Sequence, residues 1–137
     1  MRFDFDLTYR ILTTIEDLPP SGSISVNDFI DEEKFPDEGE RYTPYDNEFI
    51  RVSYHMELLV NSGLLEAYPF HAVGIPATNY TVRPGLNNAS GLTLDGHQYL
   101  AMLRDDTILN RLKKKVKSGL WSAAEALSIE AVKLLIF

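Results

Sequence analysis

Three histidines and one pair of adjacent carboxylates are the residues of this 137-residue chain best suited to acid–base or metal chemistry. His55, His71 and His97 lack the spacing of a metal pair on one helix, and the chain has no cysteine to complete a zinc site. His97 follows Gly96 near a helix start, where Asp95 can satisfy its ring, so a packed or capping role is expected. The sequence therefore predicts neither a bound metal nor a cofactor.

Asp105 and Asp106 resemble the paired carboxylates of an acid–base site only in sequence. Catalytic pairs converge across a cleft, whereas neighbouring residues on a helix point about 100° apart. With Arg104 before them and Thr107 after them, the pair is typical of a helix junction held by a cap and an ion pair. No serine lies in a nucleophile-elbow pattern and no glycine pattern matches a phosphate loop, so we expect no enzymatic activity.

Charge is unevenly distributed along the chain, whose formal net charge is −7. Residues 1–60 hold 14 acidic and 5 basic residues, and residues 61–137 hold 6 acidic and 8 basic residues. The acidic segment, residues 28–40, has seven Asp or Glu among thirteen positions. The basic residues concentrate at 111–117. A generic polyanion-binding protein is not expected to have so acidic a first half.

The first half of the chain predicts three helices. An apolar stripe with intervals of three and four predicts a helix over 4–18, which Asp4 or Asp6 can cap. A short second helix starts at 25–28 and has Phe29 and Ile30 as its core anchors. A Thr-Pro start and a glycine stop predict a third helix over 44–62.

Short strands and further helices follow. The segments 64–68 and 79–82 are typical of strands, with loop-forming residues between and after them, and 91–93 predicts a third short strand. The next helix either spans 94–118 unbroken or restarts at 105–107, and the periodicity fits both. The helices therefore frame a small hairpin.

A capping box predicts a last helix over 123–136. This helix would be apolar on two sides, and its second stripe consists of Ile129, Val132 and Ile136. One stripe can pack on the core, whereas the second needs another partner. We therefore expect self-association, as a homodimer, through this helix.

The order of elements indicates a mainly α protein with a small β-hairpin, an α+β fold of the winged helix-turn-helix type extended by C-terminal helices. A single domain is expected over 1–137, with the helices and wing in 1–92 and the C-terminal helices in 93–137. Helix 44–62 takes the position of the recognition helix, and 68–88 takes that of the wing.

Three stretches of the chain together resemble a known family. They are Arg2-x-Asp4-x-Asp6-Leu7 with Ile11-Leu12, Tyr54-His55-x-x-Leu58-Leu59 with Gly63-Leu64, and Leu92-Thr93-x-x-Gly96-His97-x-x-Leu100 followed by Arg104-Asp105-Asp106-Thr107. This pattern is similar to an uncharacterised bacterial and phage family, the domain of unknown function number 2513, from which the chain departs by a longer acidic insertion around 31–41. The resemblance implies a winged-helix shape in a prokaryotic or phage setting and no known catalytic residue. By analogy of fold alone it implies DNA binding.

Partner class is predicted from the charges around the recognition position. The candidate DNA contacts are Arg51, His55, Arg83, Lys113, Lys114, Lys115 and Lys117. Helix 44–62 also carries Asp46, Glu48 and Glu57, which would meet phosphates unfavourably. We therefore expect a non-enzymatic regulatory or adaptor protein acting through protein contacts, with DNA binding as the alternative.

Compartment is predicted from two absences in the sequence. No apolar run approaches membrane-spanning length, and acids occupy the start of the chain, where a signal peptide has an apolar stretch. A cytoplasmic protein with no membrane partner is expected.

Overall fold

A computed structural model describes residues 2–19, 22–36, 44–67 and 88–136. The helices are α1 (Phe5–Glu16), α2 (Pro44–Asn61), α3 (Leu94–Leu103), α4 (Asp106–Lys117), α5 (Ala123–Ala126) and α6 (Ile129–Lys133), and the strands are β1 (Ile24–Ser25), β2 (Leu65–Ala67) and β3 (Asn88–Leu92). One turn of 3-10 helix spans Val26–Phe29. The described part is mostly helical with a small antiparallel sheet, which confirms the predicted α+β class.

Helix α1 is the central element of the core, and its start follows from local chemistry. The Asp4 side chain accepts a hydrogen bond from the Leu7 backbone N–H, so Asp4 is the N-cap that the sequence suggested. Ile11, Leu12 and Ile15 are buried along one face. The helix predicted over 4–18 is confirmed with slightly shorter ends.

The sheet has the strand order β1-β3-β2, and both pairings are antiparallel. Strand β2 confirms the prediction at 64–68. Strand β3 overlaps the strand predicted at 91–93 but begins earlier, at Asn88, and the strand predicted at 79–82 lies outside the described residues. Strand β1 was not predicted. Its two residues are held by pairing with β3, with Ile24 opposite Ala89, and so short a segment has no alternation of its own to detect.

Helix α2 follows the short 3-10 turn and ends where the sequence indicates. Val52, Met56 and Leu59 are buried in the core along one face. Gly63 has φ +77°, the left-handed conformation that ends a helix at little cost when the residue is glycine. Phe29, the last residue of the 3-10 turn, is buried and anchors that turn in the core.

The break between α3 and α4 answers the question that periodicity left open. The Asp105 side chain accepts hydrogen bonds from the backbone N–H groups of Thr107 and Ile108, so Asp105 is the N-cap of a new helix. Arg104 forms an ion pair with Glu16 of α1. The cap confirms the predicted helix junction, whereas the ion pair of Arg104 is made with a distant residue and not with the neighbouring carboxylates.

The predicted single helix over 123–136 is wrong, because the chain forms two short helices there. The capping box of Ser122 with Glu125 does start α5. At Ser128 the side-chain hydroxyl then accepts the Ala131 N–H and caps a separate helix, α6. The buried Tyr99 hydroxyl donates to the Ala126 carbonyl oxygen at 2.6 Å and holds the end of α5.

The start of α3 packs directly against the residue that precedes β2. A Cβ added at Gly96 would overlap the Leu64 carbonyl oxygen, so this approach requires glycine. The Thr93 backbone N–H donates to that oxygen, and the Thr93 hydroxyl caps α3. This contact gives a physical reason for the glycine of the Gly-His element.

In the described part of the chain, no helix has both the length and the apolar character needed to cross a membrane.

Candidate functional site

His55 joins α2 to the start of α1 and is fully buried. Its Nε2 atom accepts the Asp4 backbone N–H at 2.8 Å, and its Nδ1–H donates to the Arg51 carbonyl oxygen at 2.7 Å. Both ring nitrogens are therefore used, which requires the neutral ring with its proton on Nδ1. Burial lowers the pKa of His55 from its usual 6.5.

The prediction of His55 as a DNA contact is therefore wrong. The prediction puts His55 with Arg51 on the exposed side of helix 44–62. The ring instead turns inward, where it stacks on Phe3 at 5.7 Å between ring centroids and meets the Tyr54 ring edge-on at 5.2 Å. The ring cannot contact DNA from this position, and its role is to hold α1 on α2.

Arg51 lies beside this histidine and is tied to carboxylates of its own chain. Its Nη2 atom is 3.4 Å from an Asp4 carboxylate oxygen, and its Nε atom is 3.6 Å from one of Glu48. Its Nη1 atom is buried and has no hydrogen-bond acceptor among the described residues. Arg51 is half-buried at the edge of α2, and two of its three guanidinium nitrogens face a carboxylate.

A cleft of about 430 Å³ opens at this point between the start of α1, the side of α2 and the end of α4. We call it the basic cleft. Its lining residues are Arg2, Phe3, Asp4, Phe5, Asp6, Arg51, Lys113, Val116 and Lys117. The structure thus brings together three predicted site residues, Arg51 of α2 and the lysines Lys113 and Lys117 of α4, which lie 62 and 66 positions after it.

Most basic residues of α4 lie in its last turn. Its last turn contains Lys114, Lys115 and Lys117, where positive charge opposes the negative end of the helix dipole. The Lys113 Nζ atom lies 3.6 Å from a carboxylate oxygen of Asp6 in α1. Arg111 points away from this group and donates to the Leu135 carbonyl oxygen at 2.7 Å.

The remaining predicted site residues do not come together. Arg83, like the region predicted as the wing, lies outside the described residues. Val132 is fully buried in the core and Ile129 is half-buried against it, so the predicted self-association stripe is wrong. The split of the last helix at Ser128 causes this error, because α6 turns Val132 inward and leaves Ile136 half-exposed.

The other chemistry-bearing residues form no site in the described structure. His97 is exposed on α3, and His71 lies outside the described residues. No group of three or more His, Asp or Glu side chains in the described ranges is placed to hold a metal ion. Arg2 and Phe3 are among the cleft residues that sequence reasoning missed, because no local pattern shows that the start of α1 meets the end of α4.

Comparison with known proteins adds a family and one relative. The family described as "Hypothetical protein (DUF2513)" matches residues 2–122. An "Uncharacterized protein" of Haemophilus influenzae strain Rd is 34% identical over 92 residues. This match covers 67% of the present chain and 65% of the relative, so the chain spans just under two thirds of that relative's length. No solved structure matches the chain.

Proposed function

The chain belongs to the DUF2513 family, and we propose that it is a non-enzymatic winged-helix regulatory or adaptor protein that acts through protein contacts. The order of elements supports the winged-helix part. A helix, a short strand, a 3-10 turn, helix α2 and two further strands follow one another, and β3 lies between β1 and β2. In this arrangement α2 takes the place of the recognition helix.

The charge of α2 carries the choice of a protein partner. Arg51 is the single Lys or Arg in its sequence, and Asp46, Glu48 and Glu57 outnumber it. Arg51 is itself paired with carboxylates, and the exposed positions of α2 are Pro44, Asn47, Ile50 and Asn61. Binding to DNA depends first on neutralising phosphates, which this helix is poorly equipped to do.

A DNA titration tests this proposal. Fluorescein-labelled duplexes of mixed sequence would be titrated with the full chain between about 20 and about 200 mM salt, a range over which phosphate contacts weaken steeply. We expect no salt-sensitive binding. A steep fall in affinity with rising salt would overturn the choice of a protein partner.

DNA binding by a transcriptional regulator, through α2 and the region predicted as the wing, is the second candidate. It is favoured by the same order of elements and by the basic end of α4, which lies near the side of α2 through Lys113 and Arg51. On this hypothesis the double variant Lys114→Ala/Lys117→Ala lowers the salt slope by about 2, one for each phosphate contact removed. Lys133→Ala on α6 is the matched control, and an unchanged slope in the double variant would count against this candidate.

A further inference from the structure

The basic cleft has positive charge that the chain does not neutralise internally. Arg51 is paired with Asp4 and Glu48, and Lys113 is paired with Asp6. Arg2 and Lys117 also line the cleft, and neither has an ion pair among the described residues. Two cationic side chains are therefore available to an external anion.

The lining of the cleft favours a ligand with a few carboxylates over a long chain of phosphates. Phe3, Phe5 and Val116 line it, and apolar walls strengthen charge pairing by reducing access of water. The carboxylates of Asp4 and Asp6 lie in the same cleft. They oppose a long polyanion but leave room for two carboxylates placed opposite Arg2 and Lys117.

The acidic segment of the same chain offers such carboxylates. Asp31, Glu32 and Glu33 are consecutive and exposed, and the Asp31 side chain accepts the Glu33 backbone N–H at 3.0 Å, which shapes the turn. Glu32 and Glu33 have no ion pair among the described residues. Buried Phe29 and Ile30 directly precede these three residues and anchor the start of the turn in the core.

We propose that the basic cleft of one copy binds the acidic turn at residues 31–33 of a second copy, with Arg2 and Lys117 facing Glu32 and Glu33. This inference rests on the proposed function, because it names the partner in a protein contact. In a two-fold arrangement each copy supplies one cleft and one acidic turn, so the assembly closes as a dimer. Repulsion between copies of net charge −7 is screened beyond about 8 Å at physiological salt, whereas contacting pairs are screened less.

Sedimentation velocity of the full chain at rising concentration tests the cleft. We expect a monomer–dimer equilibrium that salt weakens. Lys117→Glu reverses one cation in each of two contacts and is expected to weaken dimerisation about tenfold. The matched control is Lys133→Glu on α6, which changes the net charge equally and is expected to leave the equilibrium unchanged.

A charge swap identifies the occupant. Arg2→Glu/Lys117→Glu and Glu32→Lys/Glu33→Lys each place like charges in both contacts, so each variant alone is expected to be monomeric. Mixed together, they place opposite charges in both contacts and are expected to form a heterodimer. Circular dichroism confirms that each variant is folded before mixing.

Three results would overturn the self-docking proposal. The first is a wild-type chain that stays monomeric, and the second is a mixture that stays monomeric although both variants are folded. The third is a dimer unaffected by Lys117→Glu, which would place the interface outside the cleft. None of these results depends on the DNA titration. Failure of self-docking is therefore distinguishable from failure of the proposed protein-contact function.

Discussion

Helices α2 and α4 meet the same cleft but present opposite charge. Helix α2 has one arginine among three carboxylates, whereas α4 has an acidic start and four lysines in its second half. By analogy of fold the partner would bind at α2, whereas the available cations lie on α4 and at Arg2. The difference shows that the position of a helix in a fold does not decide whether its side chains have charges available for a ligand.

The largest effect on stability is expected at the contact between the start of α3 and Leu64, which positions α3 and the following helix α4. Gly96→Ala places a methyl group against the Leu64 carbonyl oxygen, a backbone atom that cannot move aside freely. We expect the free energy of unfolding to fall by about 3 kcal/mol. Chemical denaturation monitored by circular dichroism measures this change.

Gly91→Ala on β3 is the control for that variant, because an added Cβ there meets nothing within 4 Å. Its stability is expected to change by less than about 1 kcal/mol. Equal stability of the two variants would show that α3 does not pack on Leu64 as described, and the placement of α4 beside the cleft would lose its support.

A smaller effect is expected from the cap that starts α4. Asp105→Ala removes the acceptor for the Thr107 and Ile108 N–H groups and is expected to cost about 1 kcal/mol. Hydrogen exchange at these two amides is expected to accelerate. Asp106→Ala is the control, since Asp106 lies in the first turn and contributes chiefly through the helix dipole.

If Asp106→Ala proves the more destabilising of the two, the restart of the helix at Asp105 is contradicted. The alternative, in which 94–118 forms one helix, would then return.

The smallest effect on stability is expected from His55, which holds α2 on α1. Burial lowers the folded-state pKa of His55 below 6.5, so the unfolded chain takes up this proton first as the pH falls. The contribution of His55 to stability is therefore fully present above pH 6.5 and is lost as the pH falls toward the folded-state pKa. Protonation of Nε2 also removes the acceptor for the Asp4 N–H.

Thermal unfolding between about pH 7.5 and about pH 5 measures this effect, since the interval spans the ordinary histidine range. His55→Gln retains an acceptor and a donor but does not titrate, so its loss of stability on acidification is expected to be smaller. Identical pH profiles of wild type and variant would contradict a buried neutral His55.

Local chemistry accounts for the parts of this fold that sequence reasoning reached. Asp4, Asp105 and the Ser122–Glu125 box begin helices because their side chains accept nearby backbone N–H groups. Gly63 ends α2 because it adopts positive φ. Each of these signals lies within a few residues of its effect.

The features that sequence reasoning missed depend on contacts between distant residues. Strand β1 exists through pairing with β3, and His55 turns inward because Asp4, 51 residues earlier, supplies an N–H. Helical periodicity alone could not show that Ser128 would cap a new helix and bury Val132. Arg2 joins the candidate site for the same reason, since only the tertiary fold brings it to Lys117.

One measurement compares the two partner classes directly. Labelled full chain is sedimented alone and with a mixed-sequence duplex of about 30 base pairs, at about 50 and about 200 mM salt, where phosphate contacts differ most in strength. We predict salt-weakened self-association and no additional shift with DNA. Co-sedimentation with DNA that weakens steeply with salt would contradict the central claim that this protein acts through protein contacts.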